Sequence, residues 1–333
     1  MRLPLLLRVV LWPLSAVYGG YVRLRAAFYA RGWLKQKRLR GKVISVGNLT
    51  VGGTGKTPMV LWLAEKFLAE GKRVAILSRG YRGSGGTSDE IELMKHRLRG
   101  QVAFRVGKDR FAEGRRIEEK QSIDLFLLDD GFQHLPLARD LDILMLDGSR
   151  KLKDQWLLPS GVLREPISAC RRADILVVTR KTERPDIEAG DAHKYSIFYA
   201  QTRLLGFRRY GSHADTQNLS EIGHGPFFAF CGIGNPQAFF DDLSRWNVPV
   251  AGESIFRDHH RYTPADLLRL VKASQRAGAI AFVTTEKDAE NLKGIDAPAI
   301  PIFVAVIDFV LNAESEFLAT LERKLSAPHG ASA

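Results

Sequence analysis

Apolar and polar positions recur with two different spacings along this chain, and those spacings predict its elements before any chemistry is considered. Short apolar runs at 43–46, 72–77, 102–106, 124–128, 141–146 and 174–178 read as strands. The run at 124–128 is unbroken, as expected of a strand covered on both faces. Stretches between the runs predict helices at 57–70, 89–98 and 107–120, the last strongly charged. This βαβ series predicts a mostly parallel sheet with helices on both faces. From 195 to 210 the residues become aromatic and β-rich with no helical period, and a polar stretch follows at 211–225. Paired strands and a loop linking two lobes are expected there. A second series then begins, with strands at 227–231, 249–256, 279–284 and 300–307 and helices at 236–245, 264–277 and 313–325. The expected organisation is a leading segment 1–42, a core 43–194, a β-rich linker 195–225 and a smaller C-terminal α/β lobe 226–330.

The leading segment is both apolar and basic. Residues 1–42 carry ten basic side chains and no acid, which leaves only +2 of the net charge of +12 for everything after them. The basicity therefore belongs to a leader and not to a nucleic-acid-binding face, and no nucleic acid is expected as a partner. Apolar runs at 3–7 and 9–22 carry Trp12, Tyr18 and Tyr21, with Phe28, Tyr29 and Trp33 following. The longest run, about 14 residues, falls short of the roughly 20 that a spanning helix needs, and Arg8, Arg23 and Arg25 interrupt any longer one. Aromatic residues and arginines around short apolar runs suit a segment lying among anionic headgroups. The rival readings are a buried helix packed on the domain and a cleaved signal peptide, against which Arg8 and the lack of a clear small-x-small site both argue. Two distant cysteines, Cys170 and Cys231, match no metal spacing and suit a reducing compartment.

Residues 47–57 read Gly-Asn-Leu-Thr-Val-Gly-Gly-Thr-Gly-Lys-Thr between a predicted strand and a predicted helix. That is the layout of a phosphate-binding loop. Main-chain N–H groups from Thr50, Val51, Gly52, Gly53, Thr54 and Gly55 would hold a polyphosphate. Lys56 would reach the β/γ-phosphates, and the Thr57 hydroxyl would meet Mg²⁺. Thr50 stands where the usual spacing places a glycine, and Gly52, Gly53 and Gly55 supply the needed main-chain freedom. The expected fold class is an α/β, P-loop NTPase-type sheet with the second, smaller lobe attached by β-rich strands.

Other segments are candidates for the rest of the chemistry. Asp129 and Asp130 end strand 124–128, where open parallel sheets bind ligands and where a carboxylate would hold Mg²⁺; a helix-capping role is the alternative. Asp89 precedes a predicted helix and reads first as its N-cap. His259 and His260 follow strand 249–256 without a third metal ligand at a metal-site spacing, and His259 could instead pair with a carboxylate for proton handling. Arg164-Glu165 is an exposed ion pair by default, or a phosphate clamp and a Mg²⁺ ligand if it lies in a cleft. Gly232-Ile-Gly is a tight strand-to-helix turn. In Thr284-Thr-Glu-Lys-Asp288 the lysine directly precedes the aspartate, which is the wrong order for a guanine reader and argues against a GTPase.

Together these segments resemble the tetraacyldisaccharide 4'-kinase family of lipid A biosynthesis in Gram-negative bacteria. The resemblance runs through 46–58, Ser78-Arg-Gly-Tyr81, Ser88-Asp-Glu90, Asp129-Asp-Gly-Phe-Gln-His134, Pro159-Ser-Gly-Val-Leu-Arg-Glu-Pro166, Phe256-Arg-Asp-His-His260 and Thr284-Thr-Glu-Lys-Asp288. It implies ATP-dependent phosphorylation of the 4'-hydroxyl of an acylated glucosamine disaccharide 1-phosphate, by a peripheral or monotopic monomer on the cytoplasmic face of the inner membrane. It further implies that Asp89 is the catalytic base, assisted by His259. Lys56 and Thr57 would bind phosphate and Mg²⁺, Asp129, Asp130 and Glu165 would serve the metal, and Arg164 would hold the transferring phosphoryl group. A membrane-associated nucleotide switch and a different small-molecule kinase are the alternatives.

Overall fold

The computed structural model describes residues 4–80, 89–149, 152, 155–180, 195–212, 214–296 and 298–326. The expected loop 83–88, together with Tyr81 and Ser88 of the quoted segments, lies outside the described residues. The chain divides into two compact units. One comprises Met1–Thr87, Met94–Gln201 and Val310–Ala333, and the other Ser88–Leu93 and Thr202–Phe309.

The first unit is built on strands β1 (Lys42–Asn48), β2 (Val74–Ser78), β3 (Ala103–Val106), β4 (Leu125–Asp129), β5 (Leu141–Asp147), β6 (Ile175–Thr179) and the start of β7 (Ser196–Arg209). Their order is β3-β2-β4-β1-β5-β6-β7, and the pairings are parallel. β4 and β5 are buried at every position, β4 through the unbroken apolar run Leu125–Leu128 and β5 with Asp142 buried among its apolar residues. Successive side chains point to opposite faces, so Val43, Phe126 and Leu128 meet Ile117 of helix α4 (Arg110–Glu118) on one side. Helix α2 (Lys56–Ala69) is buried along most of its length, from Met59 to Ala64 and at Phe67. Gly47 allows β1 to pass the turn after β4, because a Cβ there would lie 2.5 Å from Phe132 Cβ. The carboxyl ends of β1, β4, β5 and β6 therefore supply Asn48, Asp129, Asp147 and Thr179.

In the second unit the order is β7-β11-β10-β8-β9, with β8 (Phe227–Cys231), β9 (Val250–Ile255), β10 (Ala281–Thr285) and β11 (Ile302–Leu311). β8 shows why both faces must be covered. Phe227, Ala229 and Cys231 pack with Phe239 and Leu243 of helix α5 (Pro236–Arg245). Phe228 and Phe230 pack instead with Leu267 and Leu270 of helix α6 (Pro264–Arg276). The start of α6 is fixed by a capping box in which Thr263 and Asp266 satisfy each other's main chain.

Several expectations are corrected. Residues 195–210 form one long strand, β7, and not a pair; its first residues lie beside β6. The helix expected at 107–120 begins only at Arg110, because Asp109 accepts from Ala112 N and caps it. The last helix, α8 (Glu314–Ser326), belongs to the first unit and not to a 226–330 lobe. Phe317 explains why: it is fully buried, 5.6 Å from the Trp62 ring and 5.1 Å from that of Phe198. A short helix, α7 (Glu286–Asn291), was not anticipated, and Thr285 caps it by accepting from Asp288 N. The leader forms one 26-residue helix, α1 (Leu5–Ala30), since arginines interrupt an apolar run but not a helix. By length and composition α1 could cross a membrane.

Candidate active site

Functional residues gather in two places, one in each unit. In the first, β1 delivers Asn48 into the glycine loop. Its Nδ2 donates to Thr54 Oγ1 at 3.0 Å and to Gly52 O at 3.4 Å, closing the loop upon itself. Gly52 and Gly55 take φ of +118° and +86°, conformations that a side chain would strain. Gly55 leads directly into α2, so Lys56 and Thr57 stand at the helix's positive N-terminus.

Asp130, itself at φ +53°, is the electrostatic centre of this region. Arg164 Nη1 donates to its Oδ2 at 2.6 Å, and Lys56 Nζ lies 3.6 Å from its Oδ1. Burial works to raise the Asp130 carboxyl, but Lys56, Arg164 and Arg110 outweigh it and hold it below the usual carboxylate range. Oδ1 is buried without a hydrogen-bond partner among the described residues. Asp129 accepts from Ser78 Oγ at 3.2 Å, and Arg110 reaches the main-chain oxygens of Asp129 and Asp130 at 3.5 and 3.4 Å.

Not every expected ligand joins this group. Glu165 was expected to serve the metal, but the Arg172 guanidinium donates to both of its oxygens, at 2.7 and 3.0 Å. That fork occupies the carboxylate as placed. Among the described residues no three His, Cys, Asp or Glu side chains form a metal-holding group.

In the second unit, Asp89 opens helix α3 (Asp89–Arg97) and its Oδ1 and Oδ2 lie 2.8 and 3.0 Å from His259 Nδ1. Asn291 Nδ2 donates to Oδ2 at 3.1 Å, and Lys287 Nζ stands 3.7 Å away. The same Lys287 faces Glu90 at 3.5 Å and Asp258 at 3.1 Å. Burial works to raise Asp89, but His259, Lys287 and Asn291 draw it below its ordinary value. His259 moves the other way: its hydrogen bond to Asp89 raises it, against burial and Lys287. The tandem histidines thus separate. His260 Nε2 lies 3.0 Å from Asp266 Oδ2, and its ring stacks on Phe256 at 4.7 Å. His259, at φ +60°, is held by its own N–H donating to Gly232 O at 3.1 Å. Asp288 fixes that turn in its place, accepting from Gly232 N at 2.7 Å, Tyr262 OH at 2.8 Å and Thr285 Oγ1 at 2.6 Å.

The family model for tetraacyldisaccharide-1-P 4'-kinase (LpxK) matches residues 7–326. The chain belongs to this family. The tetraacyldisaccharide 4'-kinase of Geobacter metallireducens is 39% identical over 316 residues, covering 90% of this chain and 92% of that protein. The one from Koribacter versatilis is 36% identical over 337 residues, covering 94% and 99%. LpxK from Aquifex aeolicus, solved as an "apo" form in complex with ATP, superposes with a TM-score of 0.75 at 33% identity, over 96% of this chain and 99% of that one. A tetraacyldisaccharide 4'-kinase family member is an enzyme with the P-loop fold, as expected here. Reading the sequence residue by residue gave no role to Asn48, Arg110 or Asn291, and considered Lys287 only as a guanine reader. Asn48 had a usable signal, as a polar residue at the buried end of the strand that feeds the glycine loop.

Proposed function

We propose that this chain transfers the γ-phosphoryl group of ATP to the 4'-hydroxyl of a tetraacylated glucosamine disaccharide 1-phosphate at the cytoplasmic surface of the inner membrane, acting as a monomer. The observation that carries the phosphoryl-transfer reading is the meeting of Lys56, Asp130 and Arg164 beside the glycine loop. Main-chain N–H groups from Gly52 to Gly55 and the start of α2 cradle the phosphates, Lys56 balances their charge, and Arg164 leaves Asp130 to clamp the group in transit; the Val51 N–H, expected to join them, already donates to Val162 O at 2.8 Å. Positioning and charge neutralisation are most of what this reaction asks of a protein.

Mg²⁺ fits the residues present, because the buried Asp130 Oδ1, which has no hydrogen bond among the described residues, is a hard anionic oxygen suited to it. Asp129, Asp130 and Thr57 would hold the ion, with Glu165 joining them only on leaving Arg172. When bound it neutralises charge on the β- and γ-phosphate oxygens.

Asp89 takes the proton from the sugar hydroxyl. It remains ionised at neutral pH because His259, Lys287 and Asn291 stabilise the carboxylate, and the His259 Nδ1 contact fixes its orientation. The acceptor carries acyl chains and stays in the bilayer, so α1 supplies the docking surface. Its apolar side chains at Leu6, Val10 and Val17 are open to solvent, and Arg23, also exposed, suits anionic lipid. Incubation with ATP, Mg²⁺ and the disaccharide lipid should add one phosphate by mass spectrometry. Turnover of ATP with no gain in lipid mass would favour a nucleotide switch instead.

A further inference from the structure

Helix α1 has an inner face as well as an outer one, and the inner face is polar where it meets the first unit's catalytic loops. Of its residues only Ser15 and Gly19 are buried. Ser15 Oγ accepts from Ser160 N at 3.0 Å and lies 2.7 Å from Ser160 Oγ. One turn on, the Tyr18 hydroxyl donates to the main-chain oxygen of Arg164 at 2.8 Å. Two turns further, Arg25 donates to Gln133 O at 3.2 Å. Positions 15, 18 and 25 share one helical face. Gly19, between them, fits so closely that a Cβ there would lie 2.7 Å from Leu157 Cδ1.

Two of these partners, Arg164 and Gln133, are bonded in turn to the strand end and glycine loop, and Val162 of the same segment is bonded there as well. Arg164 N donates to Leu49 O at 2.7 Å, and Val51 N donates to Val162 O at 2.8 Å. Gln133 Nε2 donates to Asn48 O at 2.9 Å. A tyrosine at a lipid surface ordinarily turns its hydroxyl to the headgroup region. Tyr18 turns it inward, onto the peptide that carries the Arg164 side chain. A hydrogen bond to that carbonyl fixes its direction, and the direction of the carbonyl sets where the guanidinium can reach.

We propose that Tyr18, braced by the Ser15–Ser160 contact, is a positioning residue for Arg164, so that the helix meeting the lipid is also part of the frame of the phosphoryl-transfer site. The inference rests on the reading of Arg164 as the phosphoryl clamp. It separates two duties on one helix: the outward side chains bind the surface, and the inward hydroxyls hold the chemistry.

The test uses the full-length protein in mixed micelles of detergent and disaccharide lipid, with four variants: Tyr18→Phe, Arg164→Ala, the two combined, and Val10→Ser/Val17→Ser. kcat and KM for ATP, partition onto anionic vesicles and the melting temperature are measured for each. Tyr18→Phe should lower kcat about fivefold, the effect of one lost hydrogen bond, with vesicle partition and melting temperature unchanged. It should add nothing further once Arg164 is alanine, because residues acting through one another are not additive. Val10→Ser/Val17→Ser should weaken vesicle binding without changing the melting temperature, which marks the outward face as the one that meets lipid. Wild-type kcat from Tyr18→Phe, or a fivefold loss that persists undiminished beside Arg164→Ala, overturns the proposal. A wild-type rate from Arg164→Ala instead sinks the reading of Arg164 itself.

Discussion

The glycine loop and the Asp89–His259 pair, to which the proposed function gives complementary tasks, are built in opposite ways. The loop is contiguous. Glycines, Lys56 and Thr57 follow β1 within a few residues, and in the proposed function the main chain supplies most of the phosphate contacts. The pair joins residues 170 positions apart, and each member depends on side chains from other elements: Asn291 and Lys287 around Asp89, and Gly232, set by Asp288, behind His259. A site made by the main chain tolerates side-chain change at its edges, whereas one made by side chains is only as good as its supports.

This contrast predicts a graded set of losses. The largest should come from Asp89→Asn, which keeps the shape and removes the base. kcat should fall about 10²- to 10⁴-fold, the usual worth of general base catalysis, with ATP affinity unchanged by calorimetry. Next is His259→Gln. The rate of the unaltered protein should hold from neutral pH into the acid range, because Asp89 is held below its ordinary value. It should fall only as that carboxyl protonates. Losing His259 removes a stabilising hydrogen bond, so the acid limb of the pH–rate profile should move upward; an unmoved limb would mean that another group controls it. Lys287→Met should have a smaller effect in a distinctive pattern. Lys287 depresses both Asp89 and His259. Its removal should raise the acid limb and also raise the imidazole titration seen by NMR. Movement of the two in opposite directions would contradict this arrangement. The smallest effect belongs to Thr263→Ala at the start of α6, a loss of about 1 kcal/mol in denaturant unfolding with kcat preserved.

What could be read from the sequence follows the same division. The strand, glycine loop and helix were legible because local spacing alone specifies them, and so was Asp129-Asp130 at the end of an unbroken apolar strand. The preference for His259 over His260 rested on motif position, because the two are identical and adjacent; tertiary contacts separate them, Asp89 against His259 and Asp266 against His260. Glu165 was read as pairing with Arg164 or serving a metal because its partner, Arg172, lies at the end of a 3-10 turn that Pro166 begins and that no local spacing reveals. α8 was assigned by its place in the sequence, but its unit is decided by a tertiary contact of Phe317 with Trp62 and Phe198. Lys287 drew notice only as a failed guanine reader, since three carboxylates converge on it only after folding.

The central claim is that gripping the nucleotide and deprotonating the acceptor are separable tasks of separate residues. Calorimetric titration of ATP with Mg²⁺ into Asp89→Asn, alongside Lys56→Ala and the unaltered protein, tests it most directly. The account predicts that Asp89→Asn binds ATP as the unaltered protein does while failing to phosphorylate the lipid, and that Lys56→Ala loses both. Loss of ATP binding in Asp89→Asn, or full transfer without that carboxylate, would contradict it.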